Sequence, residues 1–461
     1  MSGLFATLTS VARSLDAQRF GLDVVGQNIA NVNTVGYTRR TVDFAAIAPT
    51  SPLNAGGGVE VQGVRAIRDS LLDRRLWQEL PNERMQTAIA NSLGLVEVAL
   101  GDAGASIDQK LTAFFDSYAR LAEDPTSANA RQEVLMQGQS LADAFGNMVE
   151  RLERAQRDAD TGIRGAVDQV NSLVTQIAGL NVAIASAGGS GADVQTLKDR
   201  QQEAVKTLSG LLDIDVLSRQ DGGVDITFGL GRPLVIGDSD FAITATATGP
   251  LGLVTLSDAN GLPVGSEISS GTLGGLLQVR DTTIPGYVSR LDDIAYTLAG
   301  QVNTLHQAGF DLAGAAGLAF FSPLATSAGA ASALSVNAAV AADPNLVVAA
   351  GVASSGDNQT ARQMANLRDA RVMFGSTATL HDAWGRLIYQ AGTDTQVARL
   401  EQRSRGEIIL QVEALRESIS GVSLDEEAAN MIRFQRAYEA NARFFTTVDQ
   451  SIETLLNMVG R

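Results

Sequence analysis

Residues able to perform acid–base, metal or nucleophilic chemistry are scarce in this 461-residue chain. It contains two histidines, His306 and His381, and no cysteine. The absence of cysteine excludes a thiol nucleophile, a disulfide framework and a zinc–thiolate site. Neither histidine belongs to a metal-binding spacing such as His-Glu-x-x-His, so each is interpreted as a loop or cap histidine. We therefore expect no catalytic residue, no metal site, no cofactor and no enzymatic activity.

Two glycine-rich segments could, by composition alone, hold a phosphate group. They are "GGSG" at Gly188–Gly191 and "GLGRP" at Gly229–Pro233. Neither follows a predicted strand and opens a helix, as phosphate-binding loops do. The sequence predicts a linker for the first segment and a turn for the second.

The overall charge restricts the possible partners. The formal net charge is −16 and the isoelectric point is about 4.6. Such a surface repels phosphate backbones, so we expect no nucleic-acid binding. No stretch approaches 18 apolar residues, so we expect no membrane insertion. Residues 1–29 lack the apolar core of a secretory signal, and the absence of cysteine fits export without oxidative folding.

The densest group of hydrogen-bonding side chains is "NIANVNTVGYTRR", from Asn28 to Arg40. Asparagine side chains compete with the helical backbone, and glycine readily adopts positive φ. An ordinary helix cap needs one such residue, so the cluster predicts a deliberate helix end that redirects the chain. The candidate helix-end residues are Asn28, Asn31, Asn33, Thr34, Gly36 and Tyr37.

A long amphipathic helix is predicted on each side of the chain to position this motif. Both helices carry residues spaced alternately three and four apart, which is a coiled-coil pattern. The N-terminal stripe consists of Leu4, Leu8, Val11, Leu15, Gln18, Leu22, Val25 and Ile29. The C-terminal stripe consists of Met431, Phe434, Tyr438, Asn441, Phe445, Val448, Ile452, Leu455 and Val459. The sequence Ser423–Glu426 predicts a capping box at the start of the second helix.

The simplest way to bury both stripes is to pair the two helices antiparallel. Aligning Leu4 with Val459 brings the polar members, Gln18 and Asn441, within about one turn of each other. We hypothesise that these two side chains fix the register or face a neighbouring subunit. A heptad stripe can also be an ordinary structural coiled coil, so the pattern alone leaves polymerisation open.

The region between the two ends predicts a mainly α protein with an inserted β domain. Apolar spacing predicts helices over 71–100, 107–121, 131–180, 284–305 and 358–420, and "VEVQGV" predicts a short strand. Short β-type runs separated by Gly, Pro, Asn and Asp begin near residue 213. A Gly/Ala-rich excursion at 311–356 contains a predicted strand at Leu334–Val336.

The predicted architecture is nested. Residues 1–60 and 421–461 would form antiparallel terminal coiled-coil helices. Residues 61–212 and 276–420 would form a helical middle domain, and 213–275 an outer β-rich domain. We find no internal repeat with a solenoid period.

Three segments, in this order, resemble the flagellar axial proteins of the rod, hook and hook-associated families. Asn28–Arg40 is similar to the motif that ends their first helix, although Val35 stands where hook-associated protein 1 usually has proline. The block Gly271–Gly314 resembles an internal part of the hook-associated protein 1 family that hook and rod proteins lack. Ser420–Leu456 resembles the axial C-terminal helix.

The resemblance implies a structural role at the first junction layer between the flagellar hook and the filament-side proteins. It implies export through the flagellar type III apparatus without signal cleavage, and an extracellular location. The implied partners are copies of the chain in a ring or tube layer, the hook protein, the next hook-associated junction protein, and an export chaperone at the C-terminal region. The two stripes and the helix-end motif would form the assembly interface.

Two other interpretations remain at this point. The chain could be a different axial protein, such as hook or distal rod, although the Gly271–Gly314 block argues against this. It could also be a secreted adhesion module whose β insert binds a glycan or a host surface. The aromatic content of 5% argues against a glycan-binding insert.

Overall fold

The computed structural model describes residues 2–34, 36–48, 57–101, 106–188 and 192–459. It is 67% helical, with a few small antiparallel sheets, as predicted. The segment 49–58 before the predicted "VEVQGV" strand is Pro/Gly-rich and is predicted to be a loop; most of it, and most of the linker predicted at 188–191, lies outside the described residues, as does Val35. None of the described helices combines the length and the apolar character needed to cross a bilayer.

Among the described residues, eight long helices account for most of the chain. The helices predicted at 71–100, 107–121, 131–180 and 284–305 each have a counterpart, whereas the helix predicted over 358–420 was wrong in its middle, because the chain turns between Asp369 and Leu380. Seven of the long helices are α1 (Ser2–Ala30), α2 (Ser70–Leu100), α3 (Ile107–Glu123), α4 (Ala128–Ser186), α5 (Ala192–Leu211), α7 (Ile284–Ala308) and α11 (Leu380–Ser420). The C-terminal helix α12 spans Leu424–Val459. The shorter helices are α6 (Gly271–Gln278), α8 (Ala330–Ala333), α9 (Ala338–Ala342) and α10 (Gln359–Asn366).

In the part of the chain that the structure describes, the strands form three antiparallel sheets. The first pairs β1 (Arg40–Ala46) with β2 (Val59–Ala66), which includes the predicted "VEVQGV" strand. The second has the order β3-β4-β5-β6, and the third pairs β7 with β8. Their bounds are Ile214–Ser218, Val224–Phe228, Arg232–Ile236, Ser239–Asp240, Thr244–Thr248 and Leu253–Ser257 for β3 to β8.

The helical body is held together by a core that includes an aromatic cluster. Phe114, Phe320 and Phe321 have ring centroids 5.0–5.8 Å apart. The helices α2 and α11 lie against one another, and Arg416 of α11 donates to Asp73 of α2 at 2.8 Å. Buried apolar side chains from these elements supply the main stabilising term of the body.

The β strands pack directly against α4. The side-chain amide of Asn181 donates to the carbonyl of Val224 at 2.8 Å and accepts from its N–H at 2.9 Å. Asn171 makes the same pair of bonds with Ile243, at 2.8 and 2.9 Å. Apolar side chains of β4, β5, α4 and α5 share one buried cluster. The strands therefore occur where predicted, whereas the division of the chain at 213–275 stays a prediction.

The Gly/Ala-rich segment after α7 lacks the strand predicted at Leu334–Val336. The short helices α8 and α9 flank these three residues, and Val336 forms an isolated antiparallel bridge with Phe321. That prediction was wrong because the two alanine-rich helical turns leave room for a single bridge and not for a strand. The side chain of Asn303 fixes the segment to α7 through both backbone groups of Phe321, at 3.0 and 2.8 Å.

Candidate assembly interface

The two ends of the chain meet, and they run antiparallel. The helices α1 and α12 pack along their length. A Cβ atom placed on Gly21 would lie 2.8 Å from the Phe434 ring, and Asn28 bonds to Glu427 at 2.9 Å. Later positions on α1 thus face earlier positions on α12. This is the coiled-coil arrangement expected for the terminal helices.

The observed register corrects the alignment of Leu4 with Val459. The contacts of Gly21 with Phe434 and Asn28 with Glu427 shift the partner helix by eight positions, about two turns. An apolar stripe looks nearly the same after a slip of one heptad, so it cannot set the register by itself. The small residue Gly21 and the polar pair select the register. In it, Gln18 and Asn441 still stand about one turn apart.

The structure places the predicted stripe residues at the flank of the helix pair as well as at its centre. Val11, Val25 and Val448 are buried, whereas Tyr438 and Leu455 are exposed. The side chain of Val459 lies outside the described residues, and the other members are half-buried: Leu4, Leu8, Leu15, Gln18, Leu22, Ile29, Met431, Phe434, Asn441, Phe445 and Ile452. Much of both stripes therefore stays accessible in a single chain.

The buried centre of α1 includes residues that the stripe omitted. Ala17, Gly21 and Val24 are buried, and Asn28 continues the same spacing. The Phe434 ring occupies the space left by the missing side chain of Gly21. Small residues spaced three or four apart were the signal, since they allow close approach of a large partner side chain. A search for large apolar residues passes over them.

Asn28 is the centre of the helix-end motif. It is fully buried, its Nδ2 donates to the Arg40 carbonyl at 2.9 Å, and its Oδ1 accepts from the Arg40 N–H at 3.0 Å. The Tyr37 hydroxyl donates to the same Oδ1 at 2.9 Å. Burial raises the pKa of Tyr37 above its ordinary value, so the hydroxyl keeps its proton at neutral pH and can donate. Asn28 thus joins the end of α1 to the start of β1.

The same amide reaches α12 through a buried carboxylate. Nδ2 of Asn28 also donates to Oε2 of Glu427, whose side chain is 1% exposed. Arg39 neutralises that carboxylate at 2.8 Å and pairs with Glu426 at 2.5 Å. Glu426, expected to cap the helix, therefore contributes to an ion pair between the two ends. A buried charge of this kind is stable only when it is paired and hydrogen-bonded.

Arg40 extends the network into the helical body. Its side chain is nearly buried, donates to Asp199 of α5 at 3.0 Å, and stands 4.8 Å from the Tyr37 ring centroid. Arg68 binds the other oxygen of Asp199. Two adjacent arginines thus hold two different elements, α12 and α5. Sequence reasoning missed Arg39 and Arg40 as site residues, although both ended the quoted motif.

The other motif residues shape the turn after α1. Asn31 donates from Nδ2 to the Gln27 carbonyl at 2.9 Å and accepts from the Thr34 hydroxyl at 3.1 Å. Gly36 has a φ of +78°, the left-handed conformation expected of it. Asn33 is exposed at the tip of the turn. The cluster therefore ends α1 and reverses the chain within a few residues.

Neither histidine lies near this interface. His306 is buried, where its Nδ1 contacts the Leu318 carbonyl at 2.5 Å and its Nε2 accepts from the Val348 N–H at 3.0 Å. His381 contacts Asp108. Within the residues that the structure describes, no group of three or more His, Asp or Glu side chains is arranged to hold a metal ion.

Comparison with known proteins defines the class first. The family model described as flagella basal body rod protein matches residues 11–38, and the one described as flagellar basal body rod FlgEFG protein C-terminal matches residues 416–458. These two matches cover the α1 end with its motif and the α12 helix. The chain is thus a structural axial component of the bacterial flagellum.

The middle of the chain identifies the particular family. The model described as flagellar hook-associated protein FlgK helical domain matches residues 93–321. Flagellar hook-associated protein 1 of Bacillus subtilis is 26% identical, with 100% of this chain and 99% of that protein covered. The Escherichia coli protein of the same name is 25% identical, with 98% and 99% covered. The chain belongs to the flagellar hook-associated protein 1 family.

A solved structure agrees with the fold. The structure titled as the flagellar hook junction protein FlgK from Burkholderia pseudomallei superimposes with a TM-score of 0.67. It is 15% identical in sequence and covers 75% of this chain and 100% of that chain. At this identity the likeness shows the fold alone.

Proposed function

We propose that the protein forms the first junction layer between the flagellar hook and the filament-side proteins. Copies of the chain polymerise into a ring or tube layer through α1 and α12. The hook protein lies on one side of this layer and the next hook-associated junction protein on the other. The role is structural and non-catalytic, and the site of action is outside the cell.

One observation carries this proposal: the paired ends keep large apolar side chains in contact with solvent. Phe5, Ile432, Phe444 and Leu456 are each about half exposed, and Met458 is 71% exposed. Burying such a side chain gains about 1.5–3 kcal/mol. A helix pair with an apolar outer surface at the two chain ends is therefore suited to packing against further copies.

The same surface supports two steps before assembly. We infer that the chain is exported unfolded through the flagellar type III apparatus, with its N-terminal residues retained. An export chaperone would cover the apolar side chains of α12 in the cell and prevent premature association. This agrees with the exposure of Ile432, Phe444 and Met458, which continues to the end of the described chain.

The first experiment is electron microscopy of a strain that lacks the gene, with flagellin assayed in the medium. We expect hooks without filaments and flagellin released as monomer. Absence of hooks would place the protein in the rod or the hook instead. Normal filaments would refute a role at the junction.

A second experiment tests the helix-end motif with the protein present. Gly36→Val forces a β-branched residue into a left-handed conformation, which costs about 1–2 kcal/mol. We expect normal expression and export but fewer filament-bearing hooks. Gly249→Val imposes the same left-handed strain on the exposed turn between β7 and β8, outside the motif. It is the matched control and should behave as wild type. Wild-type motility with Gly36→Val would argue against the motif's role in assembly.

A further inference from the structure

A strained turn precedes α11. Met373 and Ala378 form an antiparallel bridge, and Phe374, Gly375 and Ser376 between them have φ values of 50°, 69° and 65°. Within the described residues, Phe374 and Ser376 are the non-glycine residues with positive φ. Left-handed conformations cost free energy for side chains with a Cβ, and they cluster at sites with a function.

The surroundings of the turn enforce this conformation. Met373 and Ala378 are buried at its two ends, and the Thr377 hydroxyl donates to the Phe374 carbonyl at 3.0 Å. The ring of Phe374 is nevertheless 55% exposed. Folding of the isolated chain thus gains little from this ring, although the backbone is strained to present it.

The exposed ring stands at the edge of a cleft of about 390 Å³. The cleft lies between the turn, α7 and α11, and Tyr389 in its wall is 75% exposed. The guanidinium of Arg386 lies 4.9 Å from the centroid of the Phe374 ring. The cleft contains a second arginine, Arg290, and one carboxylate, Asp293. Hydrogen bonds from Thr379 lower the pKa of the Asp382 carboxyl group, and Arg386 is close enough to help lower it. We call this surface, formed by Arg290, Phe374, Arg386 and Tyr389, the aromatic cleft.

The residue types indicate a protein partner. Tyrosine, phenylalanine and arginine are enriched at the centres of protein interfaces. We propose that the aromatic cleft docks a neighbouring copy of this chain in the assembled layer. This contact lies on the helical body and is additional to the packing of the terminal helices. The inference rests on the proposed function.

Charge and position favour a second copy as the occupant. The cleft presents Arg290 and Arg386 beside one carboxylate, Asp293, so its balance is positive on a chain of net charge −16, and the surface of another copy is electrostatically complementary. The exposed apolar side chains of α11 also continue from the cleft toward α12, which begins four residues after α11 ends. They are Tyr389, Val397, Leu400, Leu410, Leu415 and Ile419. A head-to-tail contact between unlike faces is what closes copies into a ring.

The absence of cysteine allows a direct test. Tyr389→Cys places a single thiol in the cleft, and Leu230→Cys places one at an 88% exposed hairpin tip as the control. Each full-length variant is expressed in a strain lacking the gene. Its reaction with a polyethylene glycol maleimide is then timed on the purified monomer and on isolated flagella. We expect labelling at position 389 to slow about tenfold in flagella, because the centre of an interface excludes solvent, and labelling at position 230 to stay unchanged.

The outcomes separate the two proposals. Equal labelling of position 389 in both states, with the protein present in flagella, would overturn the inference and leave the proposed function intact. Equal slowing at positions 389 and 230 would overturn the inference as well, since it indicates general shielding. Absence of the wild-type protein from isolated flagella would overturn the proposed function and the inference with it.

A pair of variants of the turn provides a second measurement. Phe374→Asn removes the ring and keeps a residue that tolerates the left-handed conformation, and Ser376→Gly relieves strain while keeping the ring. Both monomers should melt within a few degrees of wild type or higher. We expect Phe374→Asn to reduce the fraction of hooks that carry filaments, and Ser376→Gly to leave it unchanged. Equal fractions for the two variants would contradict a role of the ring in docking.

Discussion

The junction at the end of α1 and the contact between α4 and the β strands use the same device in different surroundings. In each, one asparagine amide satisfies both backbone groups of a single residue: Asn28 with Arg40, and Asn181 with Val224. Around Asn181 the other partners are neutral, namely Gln201 and the Gly237 carbonyl. Around Asn28 the additional partner is the buried carboxylate of Glu427, which Arg39 neutralises.

The difference concerns the chain separation that each contact spans. Asn181 and Val224 are 43 residues apart, whereas Asn28 and Glu427 are 399 apart. A local, neutral contact can form early in folding, but joining the two chain ends requires the intervening body. While the two chain ends are apart, the Glu427 carboxylate lacks Asn28 and Arg39, and it gains both partners when the ends meet. We therefore expect the body to fold without the junction, and the junction to depend on the body.

Replacing each of the two asparagines with alanine should give the largest difference in stability between the two regions. Asn181→Ala leaves the N–H and C=O of Val224 and the Gln201 amide without their partner, at about 1–3 kcal/mol for each buried group. It should lower the free energy of unfolding of the whole body by about 3–5 kcal/mol. Asn28→Ala should leave the main thermal transition nearly unchanged and increase hydrogen exchange only in 28–46 and 424–430.

Calorimetry with hydrogen exchange by mass spectrometry measures both effects. Asn33→Ala, which removes an exposed amide from the same turn as Asn28, controls for loss of an asparagine near the chain end. Equal losses of body stability from Asn181→Ala and Asn28→Ala would show that the two regions form one cooperative unit.

A second contrast between the two regions comes from pH. Lowering the pH should destabilise the helical body through protonation of His306. Burial lowers the pKa of His306 to about 4, and its Nε2 accepts the Val348 N–H only when unprotonated. The pKa of His306 is lower in the folded protein than the unfolded value of about 6.5. The contribution of neutral His306 to the free energy of unfolding is therefore complete above pH 6.5. It falls by about 3 kcal/mol as the pH decreases from 6.5 to 4.

The measurement is the free energy of unfolding against pH, with hydrogen exchange of residues 309–350 as the local readout. His306→Gln removes the titration, so its stability should be lower at pH 7 and should change less between pH 6.5 and 4. The difference between the two profiles isolates this histidine from the carboxylates. Parallel profiles would mean that His306 does not contribute to the acid sensitivity of the body.

Elements were more predictable from the sequence than contacts. The 3.6-residue spacing that predicted the helix at 71–100 is a local property, and α2 spans Ser70–Leu100. The register of α1 against α12 is not local, because slipping a heptad preserves the stripe. It depends on Gly21 admitting Phe434 and on Asn28 meeting Glu427, and neither pairing is visible from residue type.

The site shows the same limit. The motif pointed to Asn28, but the sequence contains other asparagines with the same geometry at Asn171, Asn181 and Asn303. None of these stood out, because each is isolated in an amphipathic helix. The partners of Arg39 and Arg40 lie on α12 and α5, so only the fold reveals that the two arginines act on different elements.

Neutralising the buried carboxylate tests the charged part of the junction. Glu427→Gln keeps an acceptor for Asn28 but leaves Arg39 without its least exposed partner, and should weaken docking of α12 by about 1–3 kcal/mol. Faster hydrogen exchange at the start of α12 and in 28–40 reports the loss. Glu426→Gln, at a largely exposed position, should cost less than about 1 kcal/mol. Equal effects of the two changes would mean that burial of Glu427 is unimportant.

The smallest effect distinguishes packing of the terminal helices from their intrinsic helicity. Gly21→Ala and Gly26→Ala both lie on α1, and each should gain about 1 kcal/mol in helix propensity. The Cβ at position 26 meets nothing within 4 Å, whereas at position 21 it would lie 2.8 Å from the Phe434 ring. Overpacking of this kind costs about 1–3 kcal/mol, so the gain at position 21 should be cancelled or reversed.

In the free subunit, hydrogen exchange of α12 should increase for Gly21→Ala and decrease for Gly26→Ala. Identical exchange in both variants would mean that the two ends are unpaired until subunits assemble, and would move formation of the α1–α12 contact from folding to polymerisation.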